Sequence, residues 1–203
     1  MNGLDLLIKD LTNKIRAVWQ RLQEGAITPN QWYTLTARLL ARYAQAALML
    51  GLGRETLTPE DIRVSWELMS GQLEYLDAFR LQIQNAAEFQ AGWESRAASY
   101  AKAIKIPYWK GKTKMLPLPA MPAEGTQCLA NCGCEWEIIP IDAQAGDYDC
   151  YWRRNKDDSC QTCIEREKQW SPLLIRGGVL VNPFVKEYLE TGLRQAKNPD
   201  GKN

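Results

Sequence analysis

Cys128-Leu129-Ala130-Asn131-Cys132-Gly133-Cys134-Glu135-Trp136-Glu137-Ile138 opens the cysteine-bearing part of a chain of 203 residues. Fifteen residues separate Cys134 from Cys150, and nine separate Cys150 from Cys160-Gln161-Thr162-Cys163. All six cysteines of the chain therefore lie between 128 and 163, after a long stretch that has none. A C-x2-C pair lets two thiolates meet one metal ion from a tight turn, and Gly133 suits the close backbone of a second turn. Two short-spaced groups separated by a hairpin-length segment are the layout of a tetrahedral thiolate site.

The chain has no histidine, so a transition-metal site must be built from thiolates and carboxylates. Zinc fits a four-sulfur site and brings no redox chemistry of its own. The expectation is one structural zinc ion held by four of Cys128, Cys132, Cys134, Cys160 and Cys163. Cys150, alone between Asp149 and Tyr151, is expected outside the set. Cys128 and Cys132 read as a turn pair and Cys134 as pointing from the strand, and spacing leaves open that Cys134 replaces one of them. Three disulfides in an oxidising medium, or an iron–sulfur cluster, are the alternative uses of six thiols. A segment of this size is too small to depend on its apolar core alone, and a metal would supply the missing stabilisation.

Around the thiols the sequence predicts an α+β protein, mainly α: an N-terminal antiparallel helical bundle followed by a small zinc-binding β/α module. Trp136 and Ile138 alternate as in a short strand, Asp147 to Trp152 reads as a second, and Cys160 to Trp170 as a short helix. Val179 to Val181 is a further candidate strand and Pro183 to Gln195 a last helix. Upstream, Leu4, Leu7, Ile8, Leu11, Ile15, Val18 and Leu22 recur at helical spacing. Thr28-Pro29 and Thr58-Pro59-Glu60-Asp61 are helix starts, each a hydroxyl cap followed by a proline that loses nothing in the first turn. The second helix carries Trp32, Leu35, Leu39, Tyr43, Ala46 and Leu50 on its apolar side and is expected to close at Gly51 and Gly53. The third carries Ile62, Trp66, Met69, Leu73, Leu76, Arg80 and Ile83. A fourth holds Phe89, Trp93, Ala97, Tyr100, Ala101 and Ile104.

Pro107, Pro117, Pro119 and Pro122 break this pattern, so residues 107–127 are expected to form a linker or an extended arm. The domain reading is thus helices over 1–106, the arm over 107–127, the zinc module over 128–172 and a strand/helix tail over 173–203. Trp109, in the arm, is an expected contact anchor, whereas Trp170 is expected to pack on its own module.

A net charge of +1 argues against a dedicated polyanion binder, and residues 128–171 hold five basic and nine acidic groups, a balance of −4. Arg153, Arg154 and Lys156 beside Tyr151 and Trp152 are the best argument for the alternative reading, a nucleic-acid-binding zinc module. Lack of histidine removes the commonest general base and every Ser–His or Cys–His arrangement, so no catalytic residues are assigned. The first residues read as a helix rather than a secretion signal, and no apolar run is long enough to span a bilayer.

The stretch from Leu118-Pro119-Ala120-Met121-Pro122 through Cys128, Cys132 and Cys134 to Trp136 resembles a segment of minor head and head-morphogenesis proteins of tailed bacteriophages. So does Cys160-Gln161-Thr162-Cys163-Ile164-Glu165-Arg166-Glu167, with Trp170-Ser171-Pro172 after it. The broader likeness is to the head-morphogenesis proteins of Mu-like phages; it is strong over about residues 116–172 and looser over the helices that precede them. Two positions depart from that pattern: Gly133 stands where arginine or lysine is frequent, and histidine is missing where some relatives have one. The resemblance implies a structural component of a phage head or head–tail junction, made in the host cytoplasm and located in the virion. Its implied partners are capsid, portal or connector proteins, with self-association also open; the charge balance argues against nucleic acid and the hydropathy against a membrane.

Overall fold

The computed structural model describes residues 3–128, 132–155 and 159–181. It is α+β and mainly α, with a small four-stranded antiparallel sheet. The chain divides into two compact units, residues 1–112 and 113–203.

In the first unit, α1 (Gly3–Gln23), α2 (Pro29–Leu52) and α3 (Pro59–Asn85) are the long helices. Thr28 and Thr58 cap α2 and α3 by the same device. Each hydroxyl accepts the backbone N–H three residues on, and the side chain at that position returns to the cap amide. The two proline starts are therefore read correctly from sequence. Helix α1 buries Leu4, Leu11, Ile15, Trp19 and Leu22, so Trp19 joins the predicted stripe.

The buried faces of α2 and α3 are rotated from the predicted ones. Helix α2 buries Trp32, Thr36, Leu40, Tyr43, Ala44, Ala47 and Leu48, while Leu50 is exposed. In α3 the core position is Phe79 rather than Arg80, and Ile62 and Trp66 face solvent. The reason is aromatic packing. Phe79 lies 5.6 Å from both Trp32 and Trp93 in edge-to-face contact and stacks on Trp19 at 5.9 Å. Such ring geometry sets the helix rotation in preference to a slightly better aliphatic stripe.

After α3, Phe89 precedes the next helix rather than belonging to it. Gly92, at φ 87°, starts α4 (Trp93–Ser99), which runs into a 3₁₀ turn (Tyr100–Ile104) and then α5 (Lys105–Lys112). The expected arm at 107–127 is thereby corrected in its first part. Pro107 sits in the first turn of α5, where a missing N–H costs little, and α5 packs on α2. The approach is close because both helices offer glycine. A Cβ on Gly51 would stand 2.1 Å from the Tyr108 carbonyl oxygen, and one on Gly111 would stand 2.7 Å from that of Leu48. Gly51 is thus inside α2, and Gly53, left-handed at φ 64°, is the residue that closes it. Trp109 is buried in this unit and is no exposed anchor.

The second unit begins at Thr113. Its stretch before Cys128 is not a free arm, since Thr113, Leu118, Ala120, Met121, Ala123 and Thr126 are all buried. The sheet has the order β1 (Glu135–Asp142), β2 (Asp147–Arg153), β3 (Leu173–Arg176), β4 (Val179–Leu180), with α6 (Gln161–Gln169) between β2 and β3. Trp136 pairs with Trp152, Ile138 with Cys150, and Cys150 in turn with Leu173. The expected module boundary at 172 therefore falls too early, because β3 and β4 complete the sheet. The predicted helix at Pro183–Gln195 lies outside the described residues. No helix among the described residues is long and apolar enough to cross a membrane.

Candidate metal centre

Three pieces of backbone bring thiols to one place. The first is the turn ending at Cys128. Met121 and Glu124 close it, the Glu124 N–H donating to the Met121 carbonyl at 2.9 Å and the Met121 N–H to the Glu124 carboxylate at 2.7 Å. The second is the lead into β1, with Cys132 and Cys134 on either side of Gly133. The third is the start of α6, where Cys160 is the N-cap and its carbonyl accepts the N–H groups of Cys163 (3.0 Å) and Ile164 (3.1 Å).

The sulfurs converge. Cys163 Sγ lies 3.8 Å from Cys128 Sγ and 3.8 Å from Cys132 Sγ. Cys160 Sγ lies 3.4 Å from Cys128 Sγ and 3.5 Å from Cys163 Sγ. Cys128, Cys132 and Cys163 are all within 4.8 Å of one another. The Cys134 thiol interacts with those of Cys132 and Cys163. All six cysteines are free thiols, and the Sγ separations are far beyond the ~2.05 Å of a disulfide. A tetrahedron with zinc–sulfur bonds of ~2.3 Å has edges of about 3.8 Å, so the spacing matches a soft divalent ion in a sulfur cage.

The five thiols do not share one electrostatic state. Cys132 is held below the usual thiol range, first by the Cys134 thiol and then, against burial, by the backbone amides of Cys134 and Ala123. At Cys160 burial pushes the thiol up, but the backbone amides of Cys163 and Cys128 together with the thiols of the same two residues bring it down to about 7. Burial pushes Cys128 and Cys163 up. Cys134 is raised by its contact with Cys132, by burial and by Cys163. Neighbouring thiolates repel, so they cannot all ionise together unless a cation lies among them. The arrangement can therefore bind a thiophilic metal ion.

Cys150 stands apart. It is fully buried on the core face of β2, and burial pushes its thiol up to about 11, with Asp149 adding to the effect.

Beneath the thiols lies an aromatic platform that holds α6 on the sheet. Trp152 meets Trp136 edge-on at 5.1 Å and Trp170 edge-on at 5.6 Å. Trp136 donates its indole N–H to the Ala120 carbonyl at 2.9 Å, so the 113–128 stretch is tied to β1. Arg166, one turn beyond Cys163, lies over the rings of Trp152 and Trp170. Sequence reading assigns no role to Arg166. A cation placed at helical spacing after a C-x2-C pair, in a segment holding three tryptophans, is the signal that could have drawn attention to it.

The basic residues offered for nucleic-acid binding are largely neutralised within the unit. Arg153 is paired with Glu137 and Arg154 with Glu167. Lys156 lies outside the described residues. Against known proteins, no family model, no curated protein and no solved structure matches the chain.

Proposed function

We propose that this chain is a structural protein whose second unit is held together by a zinc ion bound to thiolates, and that it works through contacts rather than turnover. The observation that carries the reading is the convergence of the Cys128, Cys132, Cys160 and Cys163 sulfurs, spaced 3.4 to 3.8 Å where they touch, on one position of a small unit. When bound, the ion would supply cross-linking between the Cys128 turn, the β1 lead and α6, and four thiolates would leave it no open position for a substrate. Binding requires deprotonation of the ligands, so it releases protons. Elemental analysis of protein purified without added metal tests this: about one zinc per chain is expected, and iron, or no metal with intact disulfides, would overturn it.

The setting we propose is a phage head or head–tail junction, with capsid, portal or connector proteins as partners. This part rests on the sequence resemblance over residues 116–172. Mass spectrometry of purified particles made with and without the gene tests it, and a particle fully assembled without the protein would refute it. The ion pairs of Arg153 and Arg154 weigh against the nucleic-acid reading, because side chains already matched to carboxylates release few phosphate counterions.

A further inference from the structure

The first unit carries a groove where the last turn of α1, the connection to α2 and the first turns of α2 meet. Its volume is about 360 Å³, with Ile27 and Leu35 as its apolar surface and Arg21 and Arg38 as its charges. No acidic side chain lines it, and the other lining side chains are neutral. Both arginines are exposed, and neither has an ion pair or a side-chain hydrogen bond among the described residues. A cationic groove with an apolar surface selects a segment that sets an aliphatic side chain next to a carboxylate.

The second unit presents a segment of that chemistry. Strand β1 lies at one edge of the sheet, and its last four residues, Ile139-Pro140-Ile141-Asp142, are all exposed. Ile139 is 41% and Ile141 58% exposed, and the register shifts between Pro140 and Asp142. From Glu135 to Trp152 this hairpin has five acidic residues and no basic one. Glu137 and Asp149 are matched to Arg153 and Arg176, and Asp147 accepts the Gly177 N–H. Asp142 differs. One of its oxygens accepts the N–H groups of Gln144 at 3.0 Å and Ala145 at 3.1 Å, and the other has no partner among the described residues. The turn thus holds an unmatched carboxylate beside two exposed isoleucines.

We propose that residues 139–142 of one copy of this chain dock into the Arg21 and Arg38 groove of a second copy. The isoleucines would lie against Ile27 and Leu35, and the free oxygen of Asp142 would accept hydrogen bonds from the guanidinium groups. The two surfaces differ, so the contact is head-to-tail and adds copies one after another, into a ring or an open chain. Neither surface includes a metal-centre thiol, so this self-association is separate from the role of the ion.

The test is sedimentation of the full chain over a range of concentrations. Wild-type protein should gain mass with concentration at low salt and less at high salt, because salt screens the charges at the contact. Arg38→Glu and Asp142→Arg should each weaken association about tenfold or more, since each sets like charges against one another. Mixing these two variants should restore it, because each then offers the other a complementary surface. Asp142→Asn keeps an acceptor for the Gln144 and Ala145 amides, so weaker association there reports the lost charge rather than a broken turn. Unchanged association in Arg38→Glu and Asp142→Asn, or a mixture of the two charge-reversed variants that stays monomeric, would overturn the proposal. A wild-type chain that stays monomeric at every concentration would also overturn it, and would leave the groove to an acidic segment of another protein.

Discussion

Arg166 donates its Nη1–H to the carbonyl oxygen of Glu124 at 2.8 Å, joining two residues 42 positions apart in sequence. The same guanidinium donates to the Gly125 carbonyl at 3.3 Å and lies 4.8 Å from the ring centroid of Trp170. One side chain on α6 thus fixes the turn that delivers Cys128 to Cys163. Its planar fork makes both carbonyl bonds while its face rests on indole, which an ammonium cannot reproduce.

Arg166→Ala should therefore destabilise the second unit by about 2–3 kcal/mol, from lost hydrogen bonds to a charged group and lost cation–π contact. Arg166→Lys should recover less than half of that. Melting of the full chain followed by tryptophan emission reads the effect, since Trp136, Trp152 and Trp170 all lie in the same platform. Equal stability of the lysine variant and the parent would show that the fork geometry is irrelevant.

Gly51 and Gly71 should respond to alanine with opposite signs. At Gly51 the new Cβ would stand 2.1 Å from a backbone oxygen, so Gly51→Ala must push α5 away and cost about 1–3 kcal/mol or more. Gly71 lies inside α3, exposed and with open space where a Cβ would go. There alanine only restricts the unfolded chain and should add about 0.5–1 kcal/mol. Helical circular dichroism against urea measures both.

Asp61 closes the cap of α3. It accepts the Thr58 N–H at 2.9 Å and the Thr58 hydroxyl at 2.8 Å, with Arg54 nearby, and these hold its carboxyl below the ordinary 3.8. A depressed carboxyl stabilises the fold above the unfolded value and loses that contribution as pH falls through the folded one. Asp61→Ala should lower stability by about 1 kcal/mol near neutral pH. The gap between variant and parent should close progressively below pH ~3.8. A gap that persisted unchanged at pH 2 would assign the effect to packing.

Cys150→Ser should leave metal stoichiometry at one per chain yet lower the melting temperature, because it places a hydroxyl in a fully buried position of β2. An unsatisfied buried hydroxyl costs roughly 1–3 kcal/mol. Cys150→Ala removes only the sulfur and should cost less than the serine. Loss of bound metal in either variant would place Cys150 in the coordinating system.

Local signals in the sequence were enough for the α+β class, the two threonine caps, the strands around Trp136 and Trp152 and the clustering of thiols. Each depends on residues close in the chain: a cap on three neighbours, a strand on alternation, a C-x2-C turn on two bends. Spacing could not decide which face of α3 is inner, because Phe79 wins that place through rings contributed by α1, α2 and α4. Nor could proline density reveal that 107–112 is helical, since that depends on Gly51 and Gly111 meeting across α2 and α5. The five thiols were nameable one by one, but their roles depend on distances between Cys128, Cys132, Cys134, Cys160 and Cys163 that only tertiary packing sets. Arg166 and the tryptophan platform, silent in any local window, hold those distances in place.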